Sequence, residues 1–95
     1  MFRIKKSFEN ENTAIFKIEG DIPNEIVYIW ARELRRIIKK SKNLIILEAC
    51  SMGYIGPKAV KILFNVAADN IYLLSCPTSV KNMFNSAGKA TNILD

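Results

Sequence analysis

Apolar residues recur along the chain at two spacings, every second position and every third or fourth, and the switches between them divide the sequence into elements. Residues 2–8, FRIKKSF, set Phe2, Ile4, Lys6 and Phe8 against Arg3, Lys5 and Ser7, largely the alternation of a half-buried strand. After the polar turn ENEN, residues 13–19, TAIFKIE, place Ala14, Phe16 and Ile18 on one face. Two alternating runs around a short polar turn predict a β-hairpin. GDIPN then breaks the pattern. Val27, Trp30, Leu34, Ile37 and Ser41 follow at steps of three and four, one face of a helix from about Asn24 to Ser41, with Asn24 or Asp21 available to cap its start.

Residues 44–49, LIILEA, are apolar at successive positions and too few for a helix, as expected of a parallel strand buried on both faces. SMGYIG reads as a loop. Pro57 suits a first helical position, where its missing N–H had no partner to lose, and Ala59, Ile62, Leu63, Val66 and Ala67 form the inward side of a second helix running to about Ala68. IYLLSC, residues 71–76, is a further buried strand. Residues 77–87 form a last helix with Val80, Met83, Phe84 and Ala87 inward, stopped by Gly88. The reading is an α/β fold: an open mixed sheet of about four strands, an N-terminal hairpin followed by parallel βαβαβα. Right-handed crossovers between neighbouring parallel strands put the helices mainly on one face. If Ala14, Phe16 and Ile18 face the helices, then Ile15, Lys17 and one set of LIILEA, either Ile45 and Leu47 or Leu44 and Ile46, line the other face. Phe8 or Tyr72 is expected to help close it, or the face serves association.

At 95 residues, 49% apolar and 24% charged, the chain is expected to form a single domain over residues 1–95, small enough that homodimerisation stays open. No apolar run reaches the roughly 20 residues of a membrane span, and the first residues lack a signal-peptide core, so the cytoplasm is the expected location. The absence of histidine removes imidazole acid–base chemistry and most zinc sites; no metal or cofactor is expected. Glu9, Glu11, Asp21, Glu48 and Asp69 are scattered, with no nucleophile–base pair, so the chain does not read as an enzyme. Cys50 and Cys76 close successive strands at the carboxyl edge of the sheet, where they read as small residues kept reduced rather than as a bridge.

The net charge of +5 owes much to residues 31–42, with Arg32, Arg35, Arg36, Lys39, Lys40 and Lys42. This reads chiefly as the solvated face of a helix whose basic last turn suits its dipole. Nucleic-acid binding by this stretch is disfavoured, because the aromatic residues fall mostly on apolar faces and are not placed to stack on bases.

The segment LIILEACSMGYIGPKAVKIL, residues 44–63, resembles the signature region of the STAS domains, found in sulfate transporters and anti-sigma factor antagonists. In that family a strand ends in an Asp, a loop follows, and an aromatic-Ile-Asp-Ser-Ser-Gly motif opens the next helix. Glu48 takes the place of the strand-end acid and Tyr54-Ile55 that of the aromatic-Ile pair, without a gap. Residues 70–94 are similar to the family's last strand and helix, and IFKIEGDIP to its second strand and the Gly before the first helix. The motif itself departs: Gly56, Pro57, Lys58 and Ala59 stand where Asp-Ser-Ser-Gly is expected, and Asp21-Ile22-Pro23 replaces the residues that follow that Gly.

In antagonist-type members the resemblance implies a serine-dependent interface, closed when the partner's kinase activity adds a phosphate whose charge disrupts docking. Neither hydroxyl is present here, so that switch is expected to be absent, with Ser51 the nearest substitute acceptor. The expectation is therefore a non-catalytic interaction module in a bacterial regulatory or signalling assembly. Its partner is an anti-sigma factor or ATPase-like regulator, met through Met52, Tyr54, Gly56, Pro57, Lys58 and Lys61. The alternative is the small cytoplasmic STAS subunit of an ABC-type lipid-transport machine. Lys58 is the odd residue: a cation in a helix's first turn opposes the dipole. It either meets an acidic partner group, points into water, or joins the helix start in holding an anion.

Overall fold

A computed structural model describes residues 1–39 and 42–94. Its elements are β1 (Phe2–Glu9), β2 (Thr13–Ile22), a 3-10 turn (Asn24–Ile26), α1 (Val27–Ile38), β3 (Leu44–Ile55), α2 (Pro57–Val66), β4 (Ile71–Leu74), α3 (Thr78–Ser86) and a closing 3-10 turn (Ala90–Asn92). The four strands lie in the order β1-β2-β3-β4. β1 and β2 are antiparallel, whereas β2/β3 and β3/β4 are parallel. The predicted open mixed sheet is thus present, with one helix in each parallel crossover. Lys40 and Ser41, expected to end the first helix, lie outside the described residues.

One alternating set from each strand is buried: Ala14, Phe16 and Ile18 from β2, Ile45, Leu47 and Ala49 from β3, Ile71 and Leu73 from β4. They pack with Trp30, Leu34 and Ile37 of α1, Ala59, Val60 and Leu63 of α2, and Val80 and Phe84 of α3 into one core. Consecutive strands lie side by side, so the crossover helices α1 and α2 share this face, and α3, which follows β4, packs into the same core. The edge strand β4 is covered by the C-terminal segment, where Ile93 bridges Leu73 and the Leu94 N–H donates to the Leu73 carbonyl at 2.9 Å. The buried Asn92 amide donates to the carbonyls of Ala68 and Ile71 at 2.9 and 2.6 Å.

Two expectations change here. Ser7 is an extra residue in β1: pairing shifts between Lys6 and Phe8, so that Lys6 faces Phe16 but Phe8 faces Ile15. A one-residue bulge sends every later side chain to the opposite face, so Phe8 does not share a face with Phe2 and Ile4. It joins Ile15, Ile46 and Tyr72, which are successive cross-strand partners, in an apolar row across the face away from the helices. Ile15, Ile46 and Tyr72 are half-buried, and Phe8 is 47% exposed. The set expected to need cover is therefore Leu44 and Ile46, with Phe8 and Tyr72 beside it.

The second change concerns residues 51–56, expected as a loop: Ser51 to Ile55 continue β3, and only Gly56 lies between it and α2. β2 and β3 stay paired as far as Ile22↔Ile55, across register shifts between Lys17 and Glu19 and between Gly20 and Ile22. Shifted register destroys strict alternation, which is why SMGYIG has no strand pattern. β4 ends at Leu74, so Cys76 lies beyond it; neither cysteine is in a disulfide, Cys50 being exposed and Cys76 buried.

Two adjacent residues of β3 give a test of face assignment. Leu47→Ala, in the closed core, is expected to cost about 2–5 kcal/mol of unfolding free energy. Ile46→Ala, on the open face, should cost about 1 kcal/mol or less. Urea denaturation of both variants checks it; equal losses would mean that the outer face is as closed as the inner.

Candidate functional site

The junction between β3 and α2 is built against the junction between β2 and α1. Because the two strands run parallel, their carboxyl ends arrive side by side. Asp21 and Asn24 at one end then meet Gly53 and Gly56 at the other. The Tyr54 N–H donates to Asp21 Oδ1 at 2.7 Å, the Gly56 N–H to the Ile22 carbonyl at 2.8 Å, and the Lys58 N–H to Asn24 Oδ1 at 3.1 Å.

This overturns the expected caps. Asp21 and Asn24 make no side-chain capping bond at the start of the 3-10 turn or of α1. The N-cap of α2 is Gly56, which has no side chain to contribute, so Asn24 supplies from a neighbouring element the oxygen a helix start needs. Gly56 has φ −73° and ψ 157°, a backbone any residue adopts. Its glycine is required by space, since a Cβ would collide with Asn24 Oδ1. At Gly53 a Cβ would collide with Asp21 Oδ1.

Two further groups fix α2. The buried Trp30 indole N–H donates to the Ala59 carbonyl at 3.0 Å, and the Phe2 ring meets Trp30 edge-on with centroids 5.4 Å apart. At the other end, Lys89 Nζ donates to the carbonyls of Phe64 and Ala67 at 3.0 and 3.1 Å, 4.3 Å from the centre of the Phe64 ring. An ammonium on the last carbonyls of a helix satisfies orphan acceptors and suits the dipole.

Of the residues expected at an interface, Tyr54 (59% exposed), Pro57, Lys58 and Lys61 are exposed, and Met52 is half-buried against the core. Gly56 and Ala59 are buried, so they shape the site from below. No acidic side chain pairs with Lys58 among the described residues. Pro57 has no N–H and the Lys58 amide is engaged by Asn24, so two donors that an anion would use at this helix start are missing.

Glu48 does not end a strand. It lies at the first register shift and accepts the Cys50 N–H at 2.6 Å. Hydrogen bonding to Cys50, through its side chain and then its backbone, holds the carboxyl below its ordinary value of 4.5, with Lys17 adding to the effect. Glu19 is lowered by its hydrogen bond to Arg3, and Glu9 by hydrogen bonds to Lys6 and Lys42. Ser51 is exposed within β3 and pairs in register with Glu19, where a phosphate would meet like charge.

No protein-family model matches the chain, and no curated protein matches it in sequence. Its fold is that of the anti-sigma factor antagonists, the STAS fold. Among solved structures it is similar to SpoIIAA in its unphosphorylated form, with TM-score 0.65 and 17% identity, covering 98% of this chain and 87% of that one. It is likewise similar to the Bacillus cell fate determinant SpoIIAA in the phosphorylated form, with TM-score 0.71, 13% identity and coverage of 98% and 90%. An anti-sigma factor antagonist from Mycobacterium paratuberculosis matches with TM-score 0.71, 8% identity and coverage of 98% and 83%.

The Asp21 and Asn24 contacts escaped the sequence reading, yet they leave a signal. Asp21-x-x-Asn24 and Gly53-x-x-Gly56 have the same spacing at the ends of two strands expected to be parallel. A pair of polar side chains facing a pair of glycines is what close approach requires.

Asn24→Ala is expected to destabilise the protein by about 1–2 kcal/mol through loss of the α2 cap. Gly56→Ala should be destabilising alone and less so in the Asn24→Ala background, because the clashing oxygen is gone. A double-mutant cycle measured by denaturation should return a coupling of about 1 kcal/mol or more, and additivity would remove the contact from the account.

The three lowered glutamates fix the direction of the pH response. A carboxyl with a folded pKa below its unfolded value stabilises fully above the unfolded value, and that contribution is lost as pH falls through the folded one. The melting temperature should hold steady down to about pH 5 and fall between about pH 5 and 3, with a smaller fall in Glu48→Gln. A midpoint that rises on acidification would contradict these assignments.

Proposed function

We propose that this chain is a non-catalytic protein-interaction module of STAS type, working in a bacterial regulatory or signalling assembly. It docks a protein partner through the exposed part of the β3–α2 junction, Tyr54, Pro57, Lys58 and Lys61 with Met52 at its margin. Docking is not switched by phosphate at the motif positions. One observation carries the reading: the chain superposes over nearly its whole length on anti-sigma factor antagonists, while the four positions that open α2 are Gly56, Pro57, Lys58 and Ala59, with the second helical amide closed by Asn24.

An exposed aromatic, of the kind enriched at protein-docking surfaces, stands near an exposed cation in sequence, both on a backbone held by neighbouring elements. Here Tyr54 and Lys58 take those parts. An acidic partner group also accounts for a lysine where helix stability alone would not place one. The test is capture from the native host by a photocrosslinking residue at position 54, followed by mass spectrometry. Recovery of an anti-sigma factor or kinase-like regulator supports the proposal, whereas recovery of a transport ATPase points to the lipid-transport subunit.

With the captured partner in hand, Lys58→Glu should weaken binding at least about tenfold if the ammonium is desolvated at the contact, while leaving stability unchanged or slightly higher. Titration calorimetry beside thermal denaturation reads both. Unchanged affinity would take Lys58 out of the interface, and phosphopeptide mapping that finds phosphate on Ser51 would restore a phosphorylation switch at a new place.

A further inference from the structure

The cationic excess is not spread over the surface. α2 and α3 contain no acidic residue, whereas Arg3, Lys6, Lys17 and Lys42 on the sheet side are paired with Glu19 or Glu9. Lys42, expected on the solvated face of the first helix, is instead tied to the hairpin, where it also donates to the Asn10 carbonyl at 2.7 Å. Among the described residues, Arg32 and Arg35 of α1, like Lys58 and Lys61 of α2, have no ion-pair partner.

Trp30, Ala31, Leu34 and Ile37 are the buried residues of α1. Tyr28, Arg32, Arg35 and Lys39 recur at steps of four, three and four on the opposite side and are all exposed, Tyr28 at 69%. Spacing of this kind makes one stripe along a helix, here about 16 Å long at 1.5 Å per residue. Arg36 flanks the stripe and is paired with Glu33 at 2.7 Å. Arg32 and Arg35 have no ion-pair partner among the described residues. The side chains of Arg32, Arg35, Arg36 and Lys39 enclose a shallow depression of about 540 Å³.

A solvated helix face explains polarity but not these choices. Arg32/Arg35, Arg32/Arg36, Arg35/Lys39 and Arg36/Lys39 are like charges at three- and four-residue spacing, each of which weakens the helix. Three of the four arginines in the chain lie within residues 31–42, whereas seven of the ten lysines lie outside it. Water hydrates a lysine ammonium more strongly than a guanidinium, but a planar guanidinium grips an oxyanion with two parallel N–H groups and a lysine does not.

We propose that the outward face of α1 docks an acidic helical segment of a second protein, with Arg32 and Arg35 each taking a carboxylate and Tyr28 packing beside them. Two guanidiniums one turn apart match carboxylates one turn apart on a partner helix. A nucleic-acid strand fits less well. Glu33 stands within the cluster, where it repels a continuous phosphate backbone but suits the mixed charges of a protein. A membrane surface fits less well again, because the buried residues of α1 leave no apolar face to insert. The surface is separate from the α2 start and does not depend on the function proposed there.

The experiment is fluorescence anisotropy at about 0.15 M salt with a labelled Ala-based helical peptide carrying glutamates at alternating three- and four-residue steps. A peptide of the same composition with its glutamates spread round the helix and a labelled oligothymidylate serve as comparisons. The patterned peptide should bind, and bind more tightly than either comparison. Arg32→Lys/Arg35→Lys, which keeps the charge, should lose about fivefold or more in affinity. Lys5→Gln/Lys6→Gln, which lowers the charge on the exposed hairpin away from both proposed surfaces, should lose less than about twofold. Circular dichroism confirms that each variant is folded. Absence of binding up to millimolar peptide, equal losses in the two double variants, equal affinity for the spread peptide, or tighter binding of the oligothymidylate would each overturn the proposal.

Discussion

The amide oxygen of Asn24 on the Lys58 N–H is the contact on which the arrangement of this protein turns. A helix start has N–H groups with no partner inside the helix, and α2 begins with a glycine and a proline that cannot cap it. Its first turn is closed from the α1 side, and its last carbonyls are closed by Lys89 from beyond α3. Neither end of the central helix is satisfied by its own residues. α2 is therefore placed by tertiary contacts, and its position fixes the exposed residues around it.

The same constraint links the sheet to the site. β2 and β3 stay paired three or more residues beyond their alternating cores, which brings Asp21 and Asn24 level with Gly53 and Gly56. The price of that closeness is side-chain volume, and glycine removes it at both positions. Trp30 completes the joint by reaching from α1 to the Ala59 carbonyl while Phe2 meets its ring. Strand register, two glycines and one indole together hold Tyr54, Pro57 and Lys58 on a rigid support. Rigid presentation of a few exposed groups lowers the ordering cost of docking a partner.

Charge is divided across the same architecture. On the sheet side acids and bases pair in short range, and the lowered carboxyls of Glu9, Glu19 and Glu48 follow from those pairs and from the Cys50 hydrogen bond. On the helix side acids are few, and the arginines of α1 stand exposed opposite its buried stripe. Proteins that share this fold include anti-sigma factor antagonists, one of them known in phosphorylated and unphosphorylated forms. In this chain the residues opening α2 offer no hydroxyl.

What the sequence determined by itself was whatever depends on local periodicity. Alternation in TAIFKIE, steps of three and four through Val27, Trp30, Leu34 and Ile37, and the unbroken apolar runs LIILEA and IYLLSC each follow from how a strand or helix exposes its sides, and they were enough for the element order, the parallel sheet and most of the core. The tertiary structure decided what depends on register and on partners distant in sequence. The bulge at Ser7 turned Phe8 to the outer face, and irregular pairing hid the end of β3 in a segment without alternation. Asp21 and Asn24, which have the composition of caps for the helix that follows them, turn to the next strand and helix instead: Asp21 accepts the Tyr54 N–H of β3, and Asn24 caps α2. A side-chain oxygen satisfies whichever orphan N–H comes within reach, and only the parallel pairing of β2 with β3 determines that it is the one on Lys58.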